Sequence, residues 1–317
     1  MPASTRLISP AGRLLRTAAG LFAAVAFAAA AEFSGSVLDS STGKPIPGAM
    51  VTVGATLARA DANGHFAISA AGSAVLARAY GYGRTQATTG NRGAKHLELK
   101  LARVRPHALY LSFWGIGSAS VREPALRLAS DTPVNAVVID IKGDLGLLSY
   151  RAAVPLAAKI GAEKIATIPD IHALIERLHR QGIYTIGRIV TFKDNVLCTA
   201  HPEFAVRKNG KVFRDREGLA WCDPFVRKVR EYNVAIAVDA AKAGFDEIQF
   251  DYVRFPDAKG VTFSQPSTDE SRPKAITSFL AEAHQRLVPY NVFLSADVFG
   301  YICWNKGDTG IGQNIQD

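Results

Sequence analysis

Cysteine is scarce in this chain: three in 317 residues, Cys198, Cys222 and Cys303, with no CxxC pair and no His-rich run. That spacing excludes the usual zinc frames, and no metal or other cofactor is expected. His172 and His179 lie seven apart on one expected helix, which suits a surface stripe better than a ligand pair. Also missing is any block of Lys or Arg, although the formal net charge is +9. Positive charge spread thinly gives no nucleic-acid footprint, so nucleic acid is not an expected partner. No glycine-rich phosphate loop comes after the first strand of the α/β region. Trp114-Gly115-Ile116-Gly117 is only a turn there, which argues against a dinucleotide site. The longest apolar stretch, from Ala18 to Ala28, is too short to span a bilayer. It sits behind Arg6, Arg13 and Arg16 and ahead of the small-residue run 28–31. That order reads as a secretory signal peptide, residues 1–31, and implies a secreted or periplasmic protein without a transmembrane span. In an exported chain a Cys198–Cys222 disulfide is one pairing; the sequence leaves it open. No pattern bears on oligomeric state.

What is present describes a folded protein, with 48% hydrophobic and 21% charged residues. Residues 32–103 read as a small all-β domain. Short alternating segments are separated by turn chemistry such as Asp61-Ala62-Asn63-Gly64. The opening from Gly35 to Val51 and the Asp61 to Phe66 hairpin resemble the carboxypeptidase regulatory-like (transthyretin-like) β-sandwich, which implies an accessory module. Asp39, Asp61 and Asn63 could be imagined as calcium ligands, but turn formation accounts for them more simply.

From residue 106 to 317 strands and helices alternate, the signature of parallel βα units. Strands are expected at 108–114, 135–142, 184–192, 247–255 and 292–300. Asp170 should cap a helix whose apolar face is Ile171, Leu174, Ile175 and Leu178. Asp223-Pro224 should start the next helix as N-cap and first position, ending at Gly244, and Pro273 should open a third. The expected fold class is α/β, a (β/α)8 TIM-type barrel. Five strands in about 210 residues fall short of the roughly 250 residues such a barrel takes, so the chain is read as ending after the fifth strand. A complete five-stranded doubly wound sheet is the alternative.

Alternation sorts the side chains. Val137, Ile139 and Ile141 oppose Asp140 and Lys142; Ile248, Phe250 and Tyr252 oppose Gln249 and Asp251; Leu294, Ala296 and Val298 oppose Ser295 and Asp297. Three strands thus each bring an acid to the barrel interior at their carboxyl ends, where barrel enzymes keep their catalysts. Glycosidic cleavage needs two carboxyl groups, and neighbouring strands about 4.8 Å apart can bring two within catalytic reach. Asp251 is the expected nucleophile and Asp297 the candidate acid/base. Asp140 and Lys142 would hold substrate hydroxyls or adjust the acid, unless Asp140 is an internal ion pair with Lys142 or Arg188. Arg188 should face an acid in the interior, and Lys193 and Asp194 leave that strand near the cleft. Trp114, Trp221, Tyr252, Tyr301 and Trp304 offer faces for sugar stacking. Arg254 should bind an anionic sugar group or pair with Asp257.

The runs VVIDIKGDLGLLSY, IGRIVTFKDNVL, WCDPFVRKVREYNVAIAVDAAKAGFDEIQFDYVRFP, LSADVFGY and GIGQNI together resemble a family of glycosyl hydrolases with a (β/α)8 barrel, distantly similar to the α-amylase-like clan. The resemblance covers the chain from about Ala108 onward. It implies a polysaccharide or oligosaccharide substrate and a fourth-strand nucleophile at Asp251. The clan's fifth strand usually offers Glu, where this chain has Asp297. The family pattern runs on past GIGQNI into further strands. A carbohydrate-binding or envelope-structural protein with an enzyme-like barrel is the competing expectation.

Overall fold

The computed structural model describes residues 30–89, 93–305 and 307–316. The expected signal peptide, all but its last two residues, lies outside them. Seven strands come first: β1 (Ala31–Asp39), β2 (Met50–Val53), β3 (Thr56–Arg59), β4 (His65–Ala70), β5 (Ala74–Arg78), β6 (Thr85–Thr88) and β7 (Ala94–Leu101). They form two sheets, β4-β1-β7 and β3-β2-β5-β6. In β4 the phenylalanine, isoleucine and final alanine are buried while the residues between face water, the strict alternation of a half-buried strand. Phe33, Val37, Phe66 and Leu99 from one sheet meet Val51, Val53 and Val75 from the other in a single core. Asp39 accepts from Ser41, Thr42, Tyr82 and Arg103, and Asp61 from the Asn63 and His65 amides, so both carboxylates serve turns.

The remainder is a mixed α/β unit. In chain order it runs β8 (Ala108–Leu111), α1 (Phe113–Gly117), α2 (Ala119–Asp131), β9 (Ala136–Lys142), α3 (Pro155–Lys159), α4 (Ile171–Arg180) and β10 (Tyr184–Val190). Next are α5 (Asn195–Ala200), the ribbon strands β11 (Arg207–Lys208) and β12 (Lys211–Val212), and α6 (Arg227–Ala243). Last come β13 (Glu247–Asp251), β14 (Val261–Thr262), α7 (Ser271–Leu287) and β15 (Phe293–Ala296). Five strands form one sheet in the order β15-β13-β10-β9-β8, and every neighbouring pair in it is parallel.

One face of this sheet is apolar and covered by helices. Phe250 sits against Phe279 of α7 at 4.9 Å between ring centres, and Phe192 meets the same ring at 5.4 Å. Burying each such side chain contributes roughly 1.5–3 kcal/mol. Gly187 in β10 is needed for this packing, since a Cβ there would lie 2.3 Å from Ile141 Cδ1. Asp170 caps α4 as expected, accepting from the Ala173 amide. Asp223 does not cap α6, which starts later with Val226 in the cap position. Its carboxylate instead accepts from the Phe225 and Ser264 amides and ties the β14 segment down.

The N-terminal sheets dock where β13 and β15 begin. Asn291 donates to the Met50 carbonyl and Thr52 Oγ1, and Arg84 donates to the Tyr290 and Gly244 carbonyls. This contact is at the opposite end of the strands from Asp251 and Asp297. No described helix is long and apolar enough to cross a membrane.

Candidate active site

The second face is apolar where its strands begin, at Ala136, Tyr184 and Ile186, and becomes polar toward their carboxyl ends, where Arg188 is the centre. Register places Arg188 beside Asp140 on one neighbour and Gln249 on the other. Its guanidinium donates to Asp140 Oδ1 at 2.7 Å and to Asp251 Oδ2 at 2.9 and 2.5 Å. Burial works against the charge on Arg188, but the Asp140 and Asp251 carboxylates outweigh it and raise its pKa. The second oxygen of Asp140 takes the Tyr110 hydroxyl at 2.7 Å and the Phe113 amide at 3.1 Å. Asp140 thus forms the expected internal ion pair with Arg188, and it also lines a cleft with Tyr110 and Trp114.

Asp251 ends β13. Its Oδ1 accepts from the amide of Tyr252, whose φ of 48° is in the left-handed region that a tyrosine adopts only at a cost of about 1–3 kcal/mol. That turn breaks the strand and sends Tyr252 sideways along the cleft. Asp297 lies just beyond β15, held by Gln249 Nε2 at 2.7 Å. Its amide donates to the Phe250 carbonyl, and its own carbonyl accepts from Gln313. Among the described residues no basic group pairs with Asp297. Burial, and then the neighbouring Asp251 charge, push its pKa above the ordinary carboxylate value, against the Gln249 hydrogen bond. Asp251 and Asp297 line one open cleft of about 260 Å³, with Arg188, Tyr252, Arg254 and Phe299. Adjacent carboxyls with unequal partners are the arrangement that acid/base chemistry uses.

The expectations for Lys142 and Asp194 need correction, and the other expected residues are distributed over several clefts. Lys142 is fully buried and donates to Asp194 Oδ2 at 2.8 Å, Asn233 Oδ1 at 2.7 Å and the Thr191 carbonyl. The cause is a one-residue register shift in the β9–β10 ladder, where Arg188 pairs with Asp140 but Ile189 with Lys142. Such a bulge moves the next side chain off the face that strict alternation assigns it. Asp194 is likewise buried, pairing with Lys142 and capping α5. Lys193 and Trp221 lie in a neighbouring cleft of about 260 Å³, where Lys193 pairs with Glu217 and Asp215. Trp114 lines a third, near Asp140 and Asp144. Tyr301 packs on Phe299 at the rim, and Trp304 is exposed and lines none of these clefts. Arg254 is not paired with Asp257; among the described residues it makes no ion pair at all.

Some residues of the site carry no expectation from the sequence: Tyr110, Asp144, Gln249 as a partner of Asp297, and Gln313. Tyr110 does have a signal, since it alternates with Leu109 and Leu111 at a strand end. Gln313 has none, because it arrives from a distant loop. Cys198 and Cys222 are buried neighbours with sulfur atoms 2.8 Å apart as thiols, and Cys303 is exposed. Among the described residues no grouping of His, Cys, Asp and Glu suits a metal ion.

Residues 108–317 match a family model described as "putative glycosyl hydrolase domain". A hypothetical protein of solved structure from Ruminiclostridium thermocellum ATCC 27405 is 40% identical, with 61% of this chain and 98% of that one aligned at a TM-score of 0.54. An alpha-galactosidase from Lactobacillus brevis is 13% identical over 61% of this chain and 26% of its own, at a TM-score of 0.40. A noncanonic maltogenic alpha-amylase from Thermotoga neapolitana is 18% identical over 62% and 46%, at 0.38. No curated protein matches the chain.

Proposed function

Because this chain belongs to the glycosyl hydrolase-domain family matched over residues 108–317, we propose that it is an exported glycoside hydrolase that cleaves a polysaccharide with Asp251 and Asp297. One observation carries this reading: two carboxyl groups from adjacent strands share one open cleft, and only one of them has a cationic partner. Arg188 fixes Asp251 with its carboxylate facing the cleft, in place to attack the anomeric carbon. Asp297, favoured in its protonated form by burial, donates a proton to the departing oxygen and later takes one from water. The N-terminal sheets belong to a regulatory-like β-sandwich whose docking leaves the cleft open, and the five parallel strands are part of a (β/α)8 barrel. Secretion or a periplasmic site follows from the signal-peptide reading.

The test is reducing-end release from a panel of polysaccharides, followed by the pH dependence of kcat/KM. Asp297 must be protonated to act, so activity should fall as pH rises through its raised pKa. Asp297→Asn should lose about 10²–10⁴-fold in rate and lack that alkaline limb. A limb unchanged in the variant would remove Asp297 from the acid role.

One observation favours a second reading, a carbohydrate-binding protein without catalysis. Arg188 bridges Asp140 and Asp251 closely, as a purely internal ion network would. Oligosaccharide binding without release of reducing ends would select it.

A further inference from the structure

Arg254 is a charged residue of the Asp251–Asp297 cleft whose chemistry the proposed cleavage leaves unused. An arginine carries five N–H donors, and among the described residues Arg254 places a single one, from Nη1 to the Phe255 carbonyl at 3.0 Å. Its guanidinium lies over three aromatic rings instead: Phe299 at 4.6 Å, Trp221 at 4.8 Å and Tyr252 at 5.3 Å from the ring centres. Those rings flank the guanidinium, and its Nε and Nη2 donate to none of the described residues. The residue lines both the cleft of Asp251 and Asp297 and the neighbouring cleft of Lys193 and Trp221. A half-buried cation held this way, with donors to spare, is a preformed seat for an oxyanion.

We propose that Arg254 binds the carboxylate of an acidic sugar, so that the substrate is a uronic-acid-containing polysaccharide with an acidic unit at or beside the scissile bond. This rests on the hydrolase reading above and deepens it. Only Tyr252 and Val253 separate Arg254 from Asp251 along the chain, so the acidic unit lies within one sugar of the reacting centre. A single carboxylate fits better than a phosphate. Asp251 and Asp257 already place negative charge near this guanidinium. One fork has two parallel donors for one carboxylate, while the cleft's other cation, Arg188, is taken up by Asp140 and Asp251. Lys193 in the adjoining cleft is already satisfied by Glu217 and Asp215, so Arg254 alone supplies the selectivity.

The experiment compares polygalacturonate, polyglucuronate and polymannuronate with their carboxyl-reduced, neutral forms, measuring binding by calorimetry and cleavage by reducing ends. At least one polyuronide should bind the full-length protein about tenfold or more tighter than its reduced form, the scale of one charge-assisted pair. Arg254→Gln should bind the two forms alike. Arg254→Lys, which keeps the charge without the fork, should recover only part of the preference. Equal binding of acidic and reduced forms by the wild-type protein, or binding of neither, overturns the inference without relying on any variant's folding. Cleavage without preference for acid leaves the hydrolase reading standing and removes this one. Acid-selective binding without cleavage does the reverse.

Discussion

Asp251→Asn is expected to lower kcat by about 10⁴-fold or more, the scale of removing a nucleophile that acts with a partner. The change is isosteric, so the cleft keeps its shape. Arg188 loses the charge on one partner but keeps Asp140 at 2.7 Å. Both Asp251 oxygens accept, from Arg188 and from the Tyr252 amide, so the Asn NH2 must face one of those donors, and the loss in stability should be about 1–3 kcal/mol. The loss in rate is therefore the larger of the two. In the non-catalytic reading the order is inverted: the ion network is what Asp251 exists for, and its removal shows in melting while no turnover is there to lose.

The largest effect on stability is expected at Lys142. Lys142 and Asp194 are both 0% exposed. Lys142→Ala strands the Asp194 carboxylate in the interior with only its helix-capping amide for company, and leaves Asn233 Oδ1 without its lysine donor. Breaking a buried pair from one side costs about 3–5 kcal/mol. Urea unfolding should show a lower midpoint with an unchanged slope. Lys142→Met combined with Asp194→Asn should recover most of the loss, since no unpaired charge remains and the Asn oxygen still caps α5. A single-variant cost below about 1 kcal/mol would show that water reaches this site. Had Lys142 held substrate, as strict alternation along β9 suggests, the change would appear in KM instead.

The contrast between these two residues shows how far a sequence reveals a site. Asp251 is legible because a carboxylate in an apolar strand stopped by proline has few places to go, and Arg188 because a strand arginine among helices needs an acid. Asp297 comes from the same alternation. Lys142 is not legible, because one extra residue in a ladder reverses the facing of the side chains after it, and a bulge leaves no mark in the composition. Expected strand ends also overrun the true ones: 255 rather than Asp251, and 300 rather than Ala296. The overrun segments are apolar enough to look like strand, yet they are the turns that carry Tyr252, Arg254 and Phe299 into the cleft. Asp223 looks like a helix cap because Asp-Pro is a good start signal. The tertiary bond to the Ser264 amide is invisible in local sequence, and so is Gln313, which reaches Asp297 across a long loop.

The most direct measurement is the mass of the Asp251 peptide from wild-type protein, stopped during reaction with a fluorosugar analogue of the released sugar, chosen so that any glycosyl–enzyme breaks down slowly. A gain of one glycosyl unit on Asp251, absent from the Asp251→Asn protein, is the predicted result. An adduct on another residue, or product formed with Asp251 never labelled, would contradict it.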